Sequence, residues 1–177
     1  MKNTAHTAHS ALDALYLACI WIAGMAALLM SLIIPIGVFA RYVLGFGAQW
    51  PEPIAILLMV VFTFIGGAAA YRAGAHIAVA MATDRMPLAL RLACRKTVDL
   101  FMLVVSVFML FYGSKLCLET MGQSLADLPW LPVGVTYMPV PLGGLCTLLF
   151  VLETLVFGPQ HDRAVIRFDH QVEEQGI

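Results

Sequence analysis

The sequence predicts an all-α membrane protein with four transmembrane helices, and three observations predict it. The chain of 177 residues is 61% hydrophobic and 12% charged, with a mean hydropathy of +0.88. A soluble chain of that size could not hide so much apolar surface, so lipid must serve as its solvent. The apolar residues also fall into four long runs, interrupted where water would begin. Finally, the runs lack the period-2 alternation of barrel strands, and backbone inside lipid must be hydrogen-bonded internally, which leaves helices.

The first run, Ala14 to Ala40, has 27 residues without a charge. As a helix it would measure about 40 Å, more than the roughly 30 Å hydrocarbon core. It must therefore tilt, bend or emerge, and Pro35 is the expected bend. It is too long for a signal-peptide core and only Lys2 precedes it as a firm positive charge, so it is expected to be retained. The second run, Pro53 to Tyr71, has 19 uncharged residues. It opens with Trp50-Pro51-Glu52-Pro53 and closes with Tyr71-Arg72-Ala73-Gly74-Ala75-His76-Ile77. The third, Leu100 to Ser114, has 15 residues and extends through isolated charges, and the fourth, Leu128 to Leu152, has 25. The expected spans are 14–40, 54–72, 98–116 and 137–157, in a single domain of residues 1–158 followed by a polar cytoplasmic tail, 159–177.

Basic residues orient the spans. With the N-terminus inside, Lys2, Arg72, Arg85, Arg91, Arg95, Lys96, Arg163 and Arg167 are cytoplasmic, and only Arg41 and Lys115 lie outside. That bias places both termini in the cytoplasm. Tyr42, Trp50, Tyr112, Trp130 and Tyr137 then mark the outer interface, and Tyr16, Trp21 and Tyr71 the inner one.

The connections differ in character. Asp84 to Asp99 is a basic amphipathic cytoplasmic segment between helices 2 and 3, with Arg91, Arg95 and Asp99 on one stripe and Pro87 in the first turn. Two readings are open: an extension of the third span, or a segment in the inner interface with its basic residues on lipid phosphates. Met121 to Tyr137 carries Pro129, Pro132 and a single charge, Asp127. It is too apolar to float in water and should lie on the membrane or against a partner. Pro139 and Pro141 open the fourth helix, and Gly143-Gly144 permits close packing.

Catalytic chemistry is absent from the pattern. Cys19, Cys94, Cys117 and Cys146 show neither CxxC spacing nor a disulfide framework and read as small packing residues. No histidine is placed mid-membrane, so no haem-ligating bundle is expected. Nucleophile-elbow, phosphate-loop and HExxH motifs are missing. No cofactor, metal site or nucleic-acid partner is expected. Glu153 reads as an interfacial carboxylate reaching headgroups, Asp99 and Lys115 as interface markers. No convergent polar group is expected inside the spans, although a solute path would need one. Arg72 is expected to bind a lipid phosphate or a helix-end carbonyl, and His76 to fix the following turn. What remains is packing: Gly66, Ala70 and Gly74 recur at i, i+4, i+8, with Gly67 alongside. Small residues let helices approach in lipid. This face meets either the chain's own helices or a second membrane protein.

Taken in order, these elements resemble the small membrane (Q-type) subunit of tripartite ATP-independent periplasmic (TRAP) transporters. The resemblance rests on Arg41-Tyr42, Trp50-x-Glu52, Phe64-Ile65-Gly66-Gly67-Ala68-Ala69-Ala70-Tyr71-Arg72-x-Gly74-x-His76-Ile77, Pro87 with the basic segment, Tyr112-Gly113, Pro132, Tyr137-Met138-Pro139 and Pro141-Leu142-Gly143. Members often carry paired acids after the tryptophan, where Pro51 and Pro53 here flank a single Glu52. An acid often follows the His-Ile-x pattern, where this chain has Ala80.

The resemblance implies a non-catalytic subunit of the bacterial inner membrane, in a sodium-driven symporter for organic anions such as carboxylates or sugar acids. It implies a large multi-span transport subunit whose scaffold this chain stabilises, and a periplasmic substrate-binding protein. Gly66, Gly67, Ala70 and Gly74 would serve subunit packing. Arg41, Trp50, Glu52, Arg72, His76, Arg91 and Arg95 would anchor the chain to lipid or to the partner subunit. Trp50, Glu52, Asp127 and Trp130 would offer a periplasmic docking surface. The rival classes are a small drug-proton antiporter, for which the first span lacks a buried acid, a quinone-linked disulfide oxidase, for which outer cysteine pairs are missing, and a free-standing assembly or regulatory protein.

Overall fold

The computed structural model describes residues 2–45, 49–74 and 87–158, with no side-chain description for residues 2–8, Leu88, Ala89 and Arg91. His76, residues 84–86 and the tail 159–177 lie outside the described residues. The elements are α1 (Lys2–Tyr42), α2 (Pro51–Arg72), α3 (Leu88–Thr120), the short α4 (Val133–Tyr137) and α5 (Pro139–Phe157). Four helices are long and apolar enough to cross a membrane, within His9–Tyr42, Pro51–Arg72, Leu92–Thr120 and Val133–Phe157. The only pairing of strand type among the described residues is the isolated bridge Ser124–Pro132.

The four long helices alternate in direction along the chain and form a row in the spatial order α1, α2, α5, α3, in which the neighbours α2 and α5 run the same way. Helices α1 and α3 stand at opposite ends of the row and share no contact among the described residues. Each interior helix supplies a stripe at helical spacing. On α2 the buried stripe is Ile65, Ala68, Ala69 and Arg72, at i, i+3, i+4, i+7. On α5 it is Gly143, Gly144, Thr147, Phe150 and Val151. Helix α1 adds Tyr16, Cys19, Ala23 and Ala26, and α3 adds Ser106 and Cys117. The main apolar core lies toward the Arg72 end and joins Tyr16 and Cys19 to Ile65, Ala68, Ala69, Tyr71, Phe150 and Val151.

Glycine decides how closely α5 approaches its neighbours. A Cβ at Gly143 would stand 2.8 Å from the Phe64 carbonyl oxygen of α2, and one at Gly144 would stand 3.0 Å from the Leu110 nitrogen of α3. The adjacent glycines, about 100° apart around the helix, therefore meet different neighbours and let α5 wedge between two backbones, as small residues do in lipid.

The basic stretch before the third span is helical from Leu88 onward and continuous with it, as one helix of 33 residues. For residues 88–99 the structure thus takes the extension over the separate segment, because no Gly or Pro interrupts the helix there. At the other end of α3, the connection to α5 folds back on its own chain. Val133 N–H donates to Gln123 O (2.8 Å) and Leu125 N–H to Leu131 O (3.2 Å). Leu128 is buried beneath the turn. The Cys117 thiol donates to Gly134 O at 3.0 Å, and a Cβ at Gly134 would collide with the Cys117 carbonyl.

A buried ion-pair cluster joining four helices

Arg72 ends α2 on the same stripe as Ile65, Ala68 and Ala69, so its side chain points into the row instead of toward headgroups. Its Nε and Nη2 each lie 2.7 Å from one Glu153 carboxylate oxygen, a bidentate pair. Nη2 also donates to Asp13 Oδ1 at 2.7 Å. The Arg72 and Glu153 side chains are 0% exposed, and Asp13 is 16% exposed. One cation of α2 therefore binds carboxylates from α1 and α5. The planar guanidinium suits this task, because it stays charged and holds its donors in a fixed fork.

Two rings complete the enclosure. The guanidinium carbon is 5.2 Å from the ring centroids of both Tyr16 and Phe150. Those rings meet edge-on, with centroids 6.4 Å apart. Nη1 is buried and has no hydrogen-bond partner among the described residues, and the ring faces supply electrostatic compensation through their quadrupoles. His9 borders the cluster, its Nδ1 at 3.5 Å from Glu153 Oε1 and its ring at 4.4 Å from that of Phe157.

The residue beside Arg72 reaches the remaining helix. Tyr71 OH donates to Asp99 Oδ1 of α3 at 2.9 Å. Tyr71 and Arg72 together tie α1, α3 and α5 to the end of α2, at the residues where their apolar runs begin or end.

Several sequence expectations need correction here. Arg72 meets neither a lipid phosphate nor a helix-end carbonyl but two carboxylates. Glu153 does not reach headgroups but is sealed against Arg72. Asp99 accepts a cross-helix hydrogen bond and is more than an interface marker. Polar groups do converge at the end of the spans, because residues 59 and 81 positions from Arg72 become its neighbours once the helices are ordered in space. A signal was available: opposite lone charges terminate three different apolar runs at one end, and such charges are normally paired.

The small-residue positions divide. A Cβ at Gly66 would lie 3.3 Å from Ala23 Cβ of the chain's own α1. A Cβ at Gly67 would meet nothing within 4 Å, and Gly67, Ala70 and Gly74 are exposed. Arg95, Trp50, Asp127 and Trp130 are also exposed. Arg41 and Glu52 form a loose exposed pair at 3.9 Å. The side chain of Arg91 and all of His76 lie outside the described residues. Among the described residues no His, Cys, Asp and Glu grouping is arranged to hold a metal ion.

Residues 29–158 match the family model for the DctQ component of tripartite ATP-independent periplasmic transporters. A Haemophilus influenzae protein named as a TRAP transporter small permease is 24% identical over 156 residues, covering 88% of this chain and 92% of that one. The ectoine TRAP transporter small permease protein TeaB of Halomonas elongata is 30% identical over 156 residues, covering 87% of this chain and 77% of that one. Four bilayer-length helices, the shared length and the matched region agree, and the chain belongs to the family of small permease subunits of TRAP transporters, multi-pass membrane components of transport and not enzymes.

Proposed function

We propose that this chain is a non-catalytic scaffold subunit of a sodium-driven, binding-protein-dependent symporter for organic anions in the bacterial inner membrane. It packs on and stiffens the large transport subunit, which carries solute and sodium. The observation that carries the reading is the Arg72 cluster. The sealed carboxylate of the spans is committed to an internal cation, with Arg72 Nε and Nη2 each 2.7 Å from Glu153. Three further polar side chains of the spans support the same reading. Ser106, Ser114 and Thr147 donate to carbonyls of their own helices, at 2.9, 2.6 and 2.8 Å. Such bonds satisfy the hydroxyls without leaving a row of donors for a passing solute.

In this reading both termini are cytoplasmic, Arg95 anchors the inner interface, and Arg41, Trp50 and Glu52 anchor the outer one. The exposed small residues Gly67, Ala70 and Gly74 pack against the large subunit. Trp50, Glu52, Asp127 and Trp130 contribute a weak part of the surface on which the periplasmic protein docks. The solute is selected elsewhere in the assembly, so the ectoine in the name of one relative does not transfer through this chain.

Reconstitution in liposomes tests the proposal, using the large subunit, the binding protein, a sodium gradient and labelled solute. Uptake should require all components. Uptake by this chain with the large subunit omitted would overturn the scaffold assignment.

A further inference from the structure

At the Trp50 end, α1 and α2 border a cleft of about 340 Å³. Its small lining residues are Gly37 and Ala55, and Ala55 is only 8% exposed. Ile34, Val38, Ile56 and Met59 stand beside them, each roughly half exposed. Along α1 the lining runs from Met30 to Tyr42, about 18 Å at 1.5 Å per residue. One leaflet of hydrocarbon is about 15 Å deep, half of the roughly 30 Å core. The cleft therefore has the polarity and length of a single acyl chain.

Its mouth has a specific charge pattern. Arg41 and Glu52 both line the cleft and lie 3.9 Å apart, with side chains 51% and 73% exposed. At that separation they make only a loose pair, and each keeps capacity for another partner. A group offering an anion and a cation a few bonds apart would satisfy both.

We propose that the cleft is a phospholipid site selective for a phosphoethanolamine head. One acyl chain fills the cleft, the phosphate binds the Arg41 guanidinium, and the primary ammonium donates to the Glu52 carboxylate. An anionic glycerol headgroup would satisfy Arg41 but be repelled by Glu52. A choline headgroup carries a positive charge without an N–H to donate. The inference concerns this chain alone and does not depend on its part in transport.

The test is native mass spectrometry of the full-length chain in micelles containing equal amounts of phosphatidylethanolamine, phosphatidylcholine and phosphatidylglycerol. The wild type should retain one phosphatidylethanolamine about two- to fivefold over the other two, the range of an exposed ion pair. Glu52→Gln should abolish that preference. Arg41→Gln should lower retention of all three lipids, and Val38→Trp, at an exposed wall position, should do the same by filling the cleft. Equal retention of the three lipids by the wild type would overturn the proposal, as would a preference unchanged in Glu52→Gln. A photoreactive side chain at position 34 in whole membranes should capture lipid. Capture of a protein chain instead would assign the cleft to a partner and overturn it equally.

Discussion

Arg72 and Glu153, 81 residues apart in sequence, meet side-on, with two N–H···O contacts of 2.7 Å and no exposed side-chain surface on either partner. The pair joins the end of α2 to the end of α5. Its environment makes the consequences of substitution unequal. Taking two charges from water is expensive, and breaking a buried pair leaves one of them uncompensated.

Arg72→Met should lower the stability of the purified chain by about 3–5 kcal/mol, because Glu153 and Asp13 then face each other without the cation. Arg72→Lys should also destabilise, since one ammonium cannot reproduce the side-on fork. The double variant Arg72→Met, Glu153→Met should recover much of the loss. Thermal unfolding in detergent reads all three. Additive losses in the double variant would show that the two side chains are not coupled.

Tyr71→Phe removes the hydrogen bond to Asp99 and keeps the ring. The expected loss is about 1 kcal/mol, typical of a single hydrogen bond. It should act on the docking of α3, so hydrogen exchange should rise near Asp99 while α1 and α2 keep their protection. Uniform loosening of the whole chain would contradict a local tie.

The glycines should separate into two behaviours. Gly143→Ala and Gly144→Ala place a methyl group 2.8 and 3.0 Å from neighbouring backbone atoms. Overpacking of that kind costs about 1–3 kcal/mol, so the isolated chain should melt earlier. Gly67→Leu enters space with nothing within 4 Å of the new Cβ, so the isolated chain should melt normally. If the exposed small residues meet the large subunit, Gly67→Leu and Ala70→Leu should instead reduce co-purification with it. Normal co-purification would move the contact to another face.

Topology is testable in a chain whose native cysteines have been replaced. Ala126→Cys should react with an impermeant maleimide from the periplasm, and Thr83→Cys only after the inner face is opened. Reversed labelling at either position would invert the orientation derived from the basic residues.

The sequence by itself determined the four spans and the family resemblance. Each rests on local quantities: the length of an uncharged run, the residue types at its ends, and the order of short motifs such as Tyr112-Gly113 and Pro141-Leu142-Gly143. Lipid enforces that locality, because a helix crossing it must satisfy its own backbone within one segment. The close-packing value of Gly143-Gly144 was legible for the same reason. Only the tertiary structure decided what the helices do to one another. On α2, Ile65, Ala68, Ala69 and Arg72 centre about 130° around the helix from Gly66 and Ala70, and composition alone does not say which stripe turns inward. The row order α1, α2, α5, α3 settled it by placing Asp13 and Glu153 beside Arg72. An isolated charge at the end of an apolar run looks the same whether it faces headgroups or a partner. The difference is the position of a carboxylate on a distant part of the chain.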